Sequence, residues 1–122
     1  MLTRIGDIIT ISASGTDNTI GSIASVSNGQ FAVSFEDEGT NTNSFDDNQN
    51  FLRVFDSDTS SITQNIPINL LSGTGSTPDL AGLSNGDIVA VTFEVSFLPL
   101  SVDTVASVFS SDGSNVTTNP FA

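Results

Sequence analysis

Hydrophobic and polar residues alternate along much of this chain with the two-residue period of β-strands. The alternation is most regular in residues 87–98, DIVAVTFEVSFL, where every second residue from Val89 to Phe97 is Val or Phe. Eleven such residues would span about 36 Å as a strand. The pattern predicts a long strand that Pro99 bends or ends, followed by a partner strand over residues 100–109.

A second strand pair is predicted around Asn28-Gly29 in ASVSNGQFAVSF. Asn and Gly readily adopt the positive φ angles that both central positions of a type I′ hairpin turn require. This turn would pair Val26 with Phe31. It would also place Phe31, Val33 and Phe35 on one apolar face over a core.

The remaining segments complete an all-β prediction, because residues that favour turns and strands dominate and helix signals are few. Short strands are expected near residues 5–13, 19–27, 30–36, 43–47 and 51–56, with a linker over 57–61. After the linker, ITQNIPINLL predicts an edge strand interrupted by Pro67. Thr77-Pro78-Asp79 predicts one helical turn, and the final VTTNPFA predicts a tail.

The first part of the chain resembles an SH3-like or Tudor-type small barrel. The residues that carry the likeness are RIGDI at 4–8, IGSIASVSNGQFAVSFEDEG at 20–39 and NSFDDNQNFLRVF at 43–55. Such barrels often open with Gly-Asp before an apolar strand and close with a short Leu-Arg-Val-like strand. The resemblance implies an SH3-like barrel over residues 1–56. A β-hairpin or small antiparallel sheet with a C-terminal tail would follow over 57–122, with its own core or a shared one.

The residue types that are missing exclude most catalytic chemistry. The chain contains no His, Cys, Trp, Tyr or Lys, and its two basic residues are Arg4 and Arg53. Ser–His–Asp and Cys–His catalysis are therefore excluded, and so are a Schiff-base lysine and a P-loop lysine. Zinc sites lose both of their usual ligand types. We expect no enzyme activity and assign no catalytic residue.

The formal net charge of −12 limits the partners. Nucleic acid is not expected to bind, because binding requires Lys and Arg to release phosphate counterions. Anionic membrane surfaces are disfavoured for the same reason. The N-terminal MLTRIGDIITIS lacks the pattern of a signal peptide, since Asp7 interrupts its apolar stretch. No apolar run reaches the ~20 residues of a membrane span, so we expect a soluble protein made without a signal peptide.

Acidic residues are concentrated in SFEDEGTNTNSFDDNQN, residues 34–50. Calcium prefers carboxylate oxygens, often beside a Gly turn, and the candidate ligands here are Glu36, Glu38, Asp46 and Asp47. The segment does not match the EF-hand loop. A hairpin tip whose acids meet only water is the favoured alternative. No other cofactor is expected.

Four apolar residues are candidates for an interface with another chain. A long strand with apolar residues on both faces invites aggregation unless the fold or a symmetric partner covers it. This consideration selects Val89, Val91 and Phe93. Phe121, in the C-terminal NPFA, is either a local plug or an anchor into a neighbouring chain. We therefore expect a homo-oligomer.

A small, acidic, soluble β protein without catalytic residues resembles a bacteriophage virion accessory protein, and the capsid decoration (cement) proteins are the nearest type. The resemblance implies a homotrimer on the capsid exterior that binds the major capsid protein and stabilises the phage head. A head–tail joining protein is an alternative of the same class. Alternatives of other classes are a secreted, calcium-assisted module that binds carbohydrate or peptide, and a Tudor-type reader of basic peptides.

Overall fold

The protein is built from β-strands that form two antiparallel sheets. The structure is a computed structural model and describes residues 1, 3, 8–11, 18–37, 49–68, 74–75, 78–97 and 99–121. The strands are β1 (Asn18–Ser25), β2 (Phe31–Asp37), β3 (Gln49–Phe55), β4 (Ile66–Pro67), β5 (Thr74–Gly75), β6 (Asp79–Gly82), β7 (Ile88–Phe97), β8 (Leu100–Phe109) and β9 (Asn115–Phe121). Sheet A has the strand order β1-β2-β3-β4. Sheet B has the order β5-β7-β8-β9, with β6 also paired to β7.

The predicted all-β class is confirmed, and the long strand pair forms as its alternation predicts. Strands β7 and β8 pair along their whole length, from Ile88 opposite Phe109 to Phe97 opposite Leu100. Strand β4 lies at the end of the order in sheet A, where Pro67 cannot interrupt the hydrogen bonds of a central strand.

A hydrophobic core lies between the two sheets. Its fully buried members are Ala32, Leu52, Val54, Ile68, Ile88, Ala90 and Phe109. Within a strand, such as Leu52 and Val54 in β3, these residues are two positions apart. Residues that are paired across two strands, such as Ala32 and Val54, point to the same side of the sheet. This cluster contains residues from both predicted units, 1–56 and 57–122, whose boundary stays a prediction.

Strand β6 brings the two sheets into contact at one edge. It pairs with β7 in sheet B, and Gly82 at its end lies against the end of β1. A methyl group added at Gly82 would lie 1.9 Å from the Ser25 carbonyl oxygen, so only glycine fits there. The buried Ser34 hydroxyl of β2 strengthens the same junction by donating a 2.6 Å hydrogen bond to the Pro78 carbonyl.

The Asn28-Gly29 hairpin forms, but its predicted register is wrong by one residue. Both turn residues have positive φ, 61° and 78°, and the Gln30 N–H donates to the Ser27 carbonyl at 3.2 Å. The Val26 N–H bonds to the Gln30 carbonyl, so Ser25 rather than Val26 lies opposite Phe31. The shift also places Ala24 opposite Ala32 and Ile23 opposite Val33, so that Ile23 instead of Ala24 shares the face of Phe31.

Two further local predictions are wrong. The Pro78 region forms the start of strand β6 instead of a helical turn, because pairing with β7 outweighs the local preference for a helix start. The predicted tail is strand β9, which pairs with β8.

The SH3-like arrangement of the first 56 residues stays a prediction. Residues 8–11 are not in a strand, and 5–7, 12–13 and 43–47 lie outside the described residues.

Candidate interaction surface

The most distinctive surface of the molecule is the side of β7 and β8 that faces away from the core, here called the outer face of sheet B. It consists of Val89, Val91, Phe93, Val95, Leu100, Val102, Thr104, Ala106 and Val108. The side chains share one face because the register pairs Val91 with Ala106 and Phe93 with Thr104. Eight of these nine residues are apolar, so the two strands present a continuous hydrophobic surface.

Much of this apolar surface is open to water. Leu100 is 74% exposed and Val102 is 65% exposed, while Phe93 and Val91 are 47% and 40% exposed. Scattered exposed apolar residues are ordinary on protein surfaces, whereas a contiguous apolar patch is uncommon on a chain that acts alone. The outer face of sheet B is such a patch.

Charge is almost absent from this face although the chain carries fourteen acidic residues. None of the nine residues is charged, and on the adjoining strand β6 the exposed Asp79 lies beside Val91. Asp103 of β8 belongs to the opposite side of the sheet, since it lies between Val102 and Thr104 in a strand whose side chains alternate. The face therefore has no charged group at its centre that would have to be desolvated on contact.

The structure brings three of the four predicted interface residues, Val89, Val91 and Phe93, to this one face. Phe121 lies in β9, where its Cα is paired with that of Thr104. Sequence reasoning omitted the β8 half of the face, although the alternation in LSVDTVASVF contains the necessary pattern. The role of these residues as an interface stays a prediction.

The outer face of sheet A has a similar sequence, but its β2 residues are buried, whereas Ile20 and Ile23 of β1 on the same face are 65% and 67% exposed. Strand β2 contains Ala-Val-Ser-Phe-Glu and β7 contains Ala-Val-Thr-Phe-Glu. In β2 the outward residues Val33 and Phe35 are only 2% and 1% exposed. Phe35 stacks on Phe51 with ring centroids 5.7 Å apart, and Phe31 stacks on Phe55 at 5.2 Å.

Arg53 connects this buried face to the N-terminal segment. Its guanidinium lies 5.3 Å from the centre of the Phe55 ring. Its Nη1 donates to the Ile11 carbonyl at 3.0 Å and its Nε donates to Ser61 Oγ at 2.8 Å. One side chain thus links residues 8–11 to β3, where a cation over an aromatic ring adds attraction.

The predicted calcium site falls mostly outside the described residues. Glu36 lies near the end of β2 and is partly buried, whereas Glu38, Asp46 and Asp47 are not described. Within the described ranges, no group of three or more His, Cys, Asp or Glu side chains could hold a metal ion. The calcium site remains untested.

Hairpin loops with a common design close one end of both sheets, which sequence reasoning missed. Loops 56–60, 83–87 and 110–114 share two backbone bonds: the first N–H donates to the fifth carbonyl, and the fourth N–H donates to the first carbonyl. The fourth residue has positive φ in each case, at Thr59, Gly86 and Gly113. Ser57-Asp58, Ser84-Asn85 and Ser111-Asp112 stand at equivalent positions 27 residues apart, a spacing that could have been read from the sequence.

Local hydrogen bonds set the electrostatics of these loops. The Asp112 carboxylate accepts from the Ser110 hydroxyl and from the Ser114 N–H and hydroxyl, and these bonds lower the pKa of Asp112 to about 2. The Ser60 hydroxyl and N–H lower the pKa of Asp58 in the same way. Each carboxylate accepts hydrogen bonds from N–H and hydroxyl groups of its own loop. Turn formation therefore explains the arrangement of these residues.

In the described part of the chain, no helix has the length and apolarity needed to cross a membrane. No protein-family model matches the chain. A search of curated proteins likewise found no matching protein.

Proposed function

We propose that this chain is a non-enzymatic structural protein of a virion, of the capsid decoration (cement) type. The observation that supports the proposal is the uncharged outer face of sheet B on a chain of net charge −12. The acidic remainder of the surface favours solubility, and the apolar face provides a site of attachment. Such a division of the surface serves assembly better than it serves catalysis.

The framework behind this face is suited to a structural role. The inner sides of β7 and β8 contribute Ile88, Ala90 and Phe109 to a core in which each is at most 1% exposed. Side chains on a packed sheet lose little further conformational entropy when they are covered, so contact is favourable. In the proposed role the exposed residues would contact the major capsid protein or other copies of this chain.

Antibodies raised against the whole chain test this function by immunogold electron microscopy of virus particles from the source culture. We expect label over the capsid exterior, present on intact heads. Label confined to the junction of head and tail would identify a head–tail joining protein instead. Label only in the particle-free medium would overturn the virion proposal.

Calcium and sugars separate this proposal from a secreted binding module. A decoration protein should keep the same thermal unfolding midpoint in calcium and in EDTA and should bind no glycan on an array. A midpoint that falls in EDTA together with glycan binding would support the calcium-assisted module, in which SFEDEGTNTNSFDDNQN would act as an ion-dependent loop.

A further inference from the structure

We infer that the outer face of sheet B is covered in solution by the same face of a second copy of this chain, so that the protein is a face-to-face dimer. The inference rests on the proposed function only because both use this face. It identifies a second copy of the chain as the partner that covers the face in solution. It follows from the charge of the face, its dimensions and the way the chain covers the equivalent face of sheet A.

The charge distribution selects a neutral, apolar partner. A basic partner would gain nothing from the nine uncharged residues, because its cations would lose water without meeting a carboxylate. Two copies of a chain with net charge −12 repel each other over most approaches. On the outer face of sheet B two copies can meet with no acid at the centre of either side.

The dimensions of the face fit a sheet-on-sheet contact. Strands β7 and β8 have ten residues each, which corresponds to a length of about 33 Å. With β6 and β9 at their sides the sheet is about 15 Å wide, and the exposed Asp79 of β6 lies at its margin. The flat area of the face is therefore on the order of 500 Å². Because side chains protrude from it, its solvent-accessible area is larger and approaches the ~800 Å² that each partner of a stable complex buries.

The residue pattern favours two-fold pairing. The rows Val89, Val91, Phe93 and Leu100, Val102, Thr104 offer branched and aromatic side chains that interdigitate when two sheets pack about 10 Å apart. A patch that contacts its own copy needs only to complement itself, which is the requirement for a two-fold axis. A trimer requires two different contacting patches, and the nine residues form one.

Sheet A shows how this chain treats a face of the same type. Val33 and Phe35 occupy the same positions in Ala-Val-Ser-Phe-Glu as Val91 and Phe93 in Ala-Val-Thr-Phe-Glu, and they are almost fully buried. On the same face, Arg53 binds the N-terminal segment through the Ile11 carbonyl. On the outer face of sheet B, Val91 and Phe93 keep 40% and 47% of their surface exposed, so a second chain would give them the burial that Val33 and Phe35 have within one chain.

A charge-insertion pair tests the dimer. Val102→Glu places a carboxylate on the outer face of sheet B, and Ile23→Glu places one on β1 of sheet A. The two residues are closely matched, both β-branched and on strands, with exposures of 65% and 67%. Light scattering on a sizing column, over a hundredfold range of concentration, gives the molar mass of each full-length variant, and circular dichroism checks its fold.

We expect wild type and Ile23→Glu to have twice the 12.6 kDa chain mass at the upper concentrations. Val102→Glu should have the single-chain mass throughout, with its dissociation constant raised by at least 100-fold. If Val102→Glu does not fold, Leu100→Glu at a 74% exposed position takes its place.

A trimer, as the capsid-decoration resemblance implies, would overturn the face-to-face dimer, and so would a wild-type chain that is monomeric at every concentration. Loss of the dimer in Ile23→Glu alone would place the contact on sheet A and would equally overturn it. None of these outcomes would change the immunogold result, so failure of the dimer and failure of the virion role can be distinguished.

Discussion

The two sheets of this protein carry nearly the same five residues but expose the valine and the phenylalanine among them very differently. Ala32 and Ala90 are both fully buried in the core, as their shared pattern requires. The outward pair is buried in sheet A, at 2% for Val33 and 1% for Phe35, but Val91 and Phe93 of sheet B are 40% and 47% exposed. Local pattern therefore decides which residues alternate, whereas distant parts of the chain decide which of two apolar faces is covered.

Removal of one phenylalanine from each face should give the largest contrast in stability. Phe35→Ala should lower the free energy of unfolding by about 3–5 kcal/mol, because it leaves a cavity beside Phe51. Phe93→Ala should change it by about 0.5 kcal/mol or less in the monomer, because the ring is already half exposed. Urea unfolding in dilute solution measures both. Equal losses would mean that the faces do not differ as described.

Gly82→Ala should disturb the edge at which the two sheets meet. The added methyl group would lie 1.9 Å from the Ser25 carbonyl oxygen, so β1 and β6 must separate. We expect a loss of about 1–3 kcal/mol in the free energy of unfolding. Ala81→Ser, on the neighbouring exposed residue of the same strand, is the matched control and should cost less than about 0.5 kcal/mol. A neutral Gly82→Ala would show that this contact does not join the sheets.

Arg53→Met should loosen the attachment of the N-terminal segment to sheet A. The methionine keeps apolar contact with Phe55 but cannot donate to the Ile11 carbonyl or to Ser61. We expect a loss of about 1 kcal/mol and faster cleavage near residue 11 by proteinase K. Arg53→Lys keeps the charge but lacks the planar guanidinium, so its stability and its cleavage rate should lie between those of wild type and Arg53→Met. An unchanged cleavage rate in Arg53→Met would show that Arg53 does not hold the N-terminal segment on sheet A.

The smallest effect on stability should come from protonation of the aspartates in the hairpin loops. Here the loop of sheet A and the loop of sheet B should respond to acid in the same way. In the folded protein the pKa of Asp112 is about 2 and that of Asp58 is also lowered, against an ordinary value of about 3.9 for an unfolded chain. A lowered folded pKa gives stability that is present above the unfolded pKa and is lost as the pH falls through the folded value. Thermal unfolding between pH 5 and about pH 2 should therefore show a small loss in wild type that Asp112→Asn reduces.

Asp58→Asn is the comparison in sheet A and should reduce the acid sensitivity in the same direction. A loss of stability in wild type above pH 5 that either variant abolishes would contradict this assignment, because both folded pKa values lie below the ordinary range.

Part of this architecture follows from the sequence alone. The pair β7–β8 is predictable because alternation continues through both strands and Pro99 interrupts it where the chain turns. The register of β1–β2 is not, because Asn28-Gly29 also tolerates the extra residue that the hairpin contains, and both faces of β2 are buried. Strand β6 depends on pairing with distant β7, which the local Thr77-Pro78-Asp79 signal does not reveal.

The candidate surface is predictable in the same partial way. Alternation identifies Val89, Val91 and Phe93 as members of one face. It does not reveal that the other face, which combines Ile88 and Ala90 with polar Thr92, is the buried one, because that choice depends on the packing of sheet A.

The most direct test of the account is the chemical accessibility of the outer face of sheet B as the protein concentration rises. The chain has no cysteine, so Thr104→Cys at an exposed position opposite Phe93 and Ser25→Cys on an exposed position of β1 each introduce a single thiol. The rate of alkylation should fall with rising concentration for Thr104→Cys and stay constant for Ser25→Cys. An equally constant rate for Thr104→Cys, up to the concentration limit of the protein, would contradict the claim that a second copy covers this face.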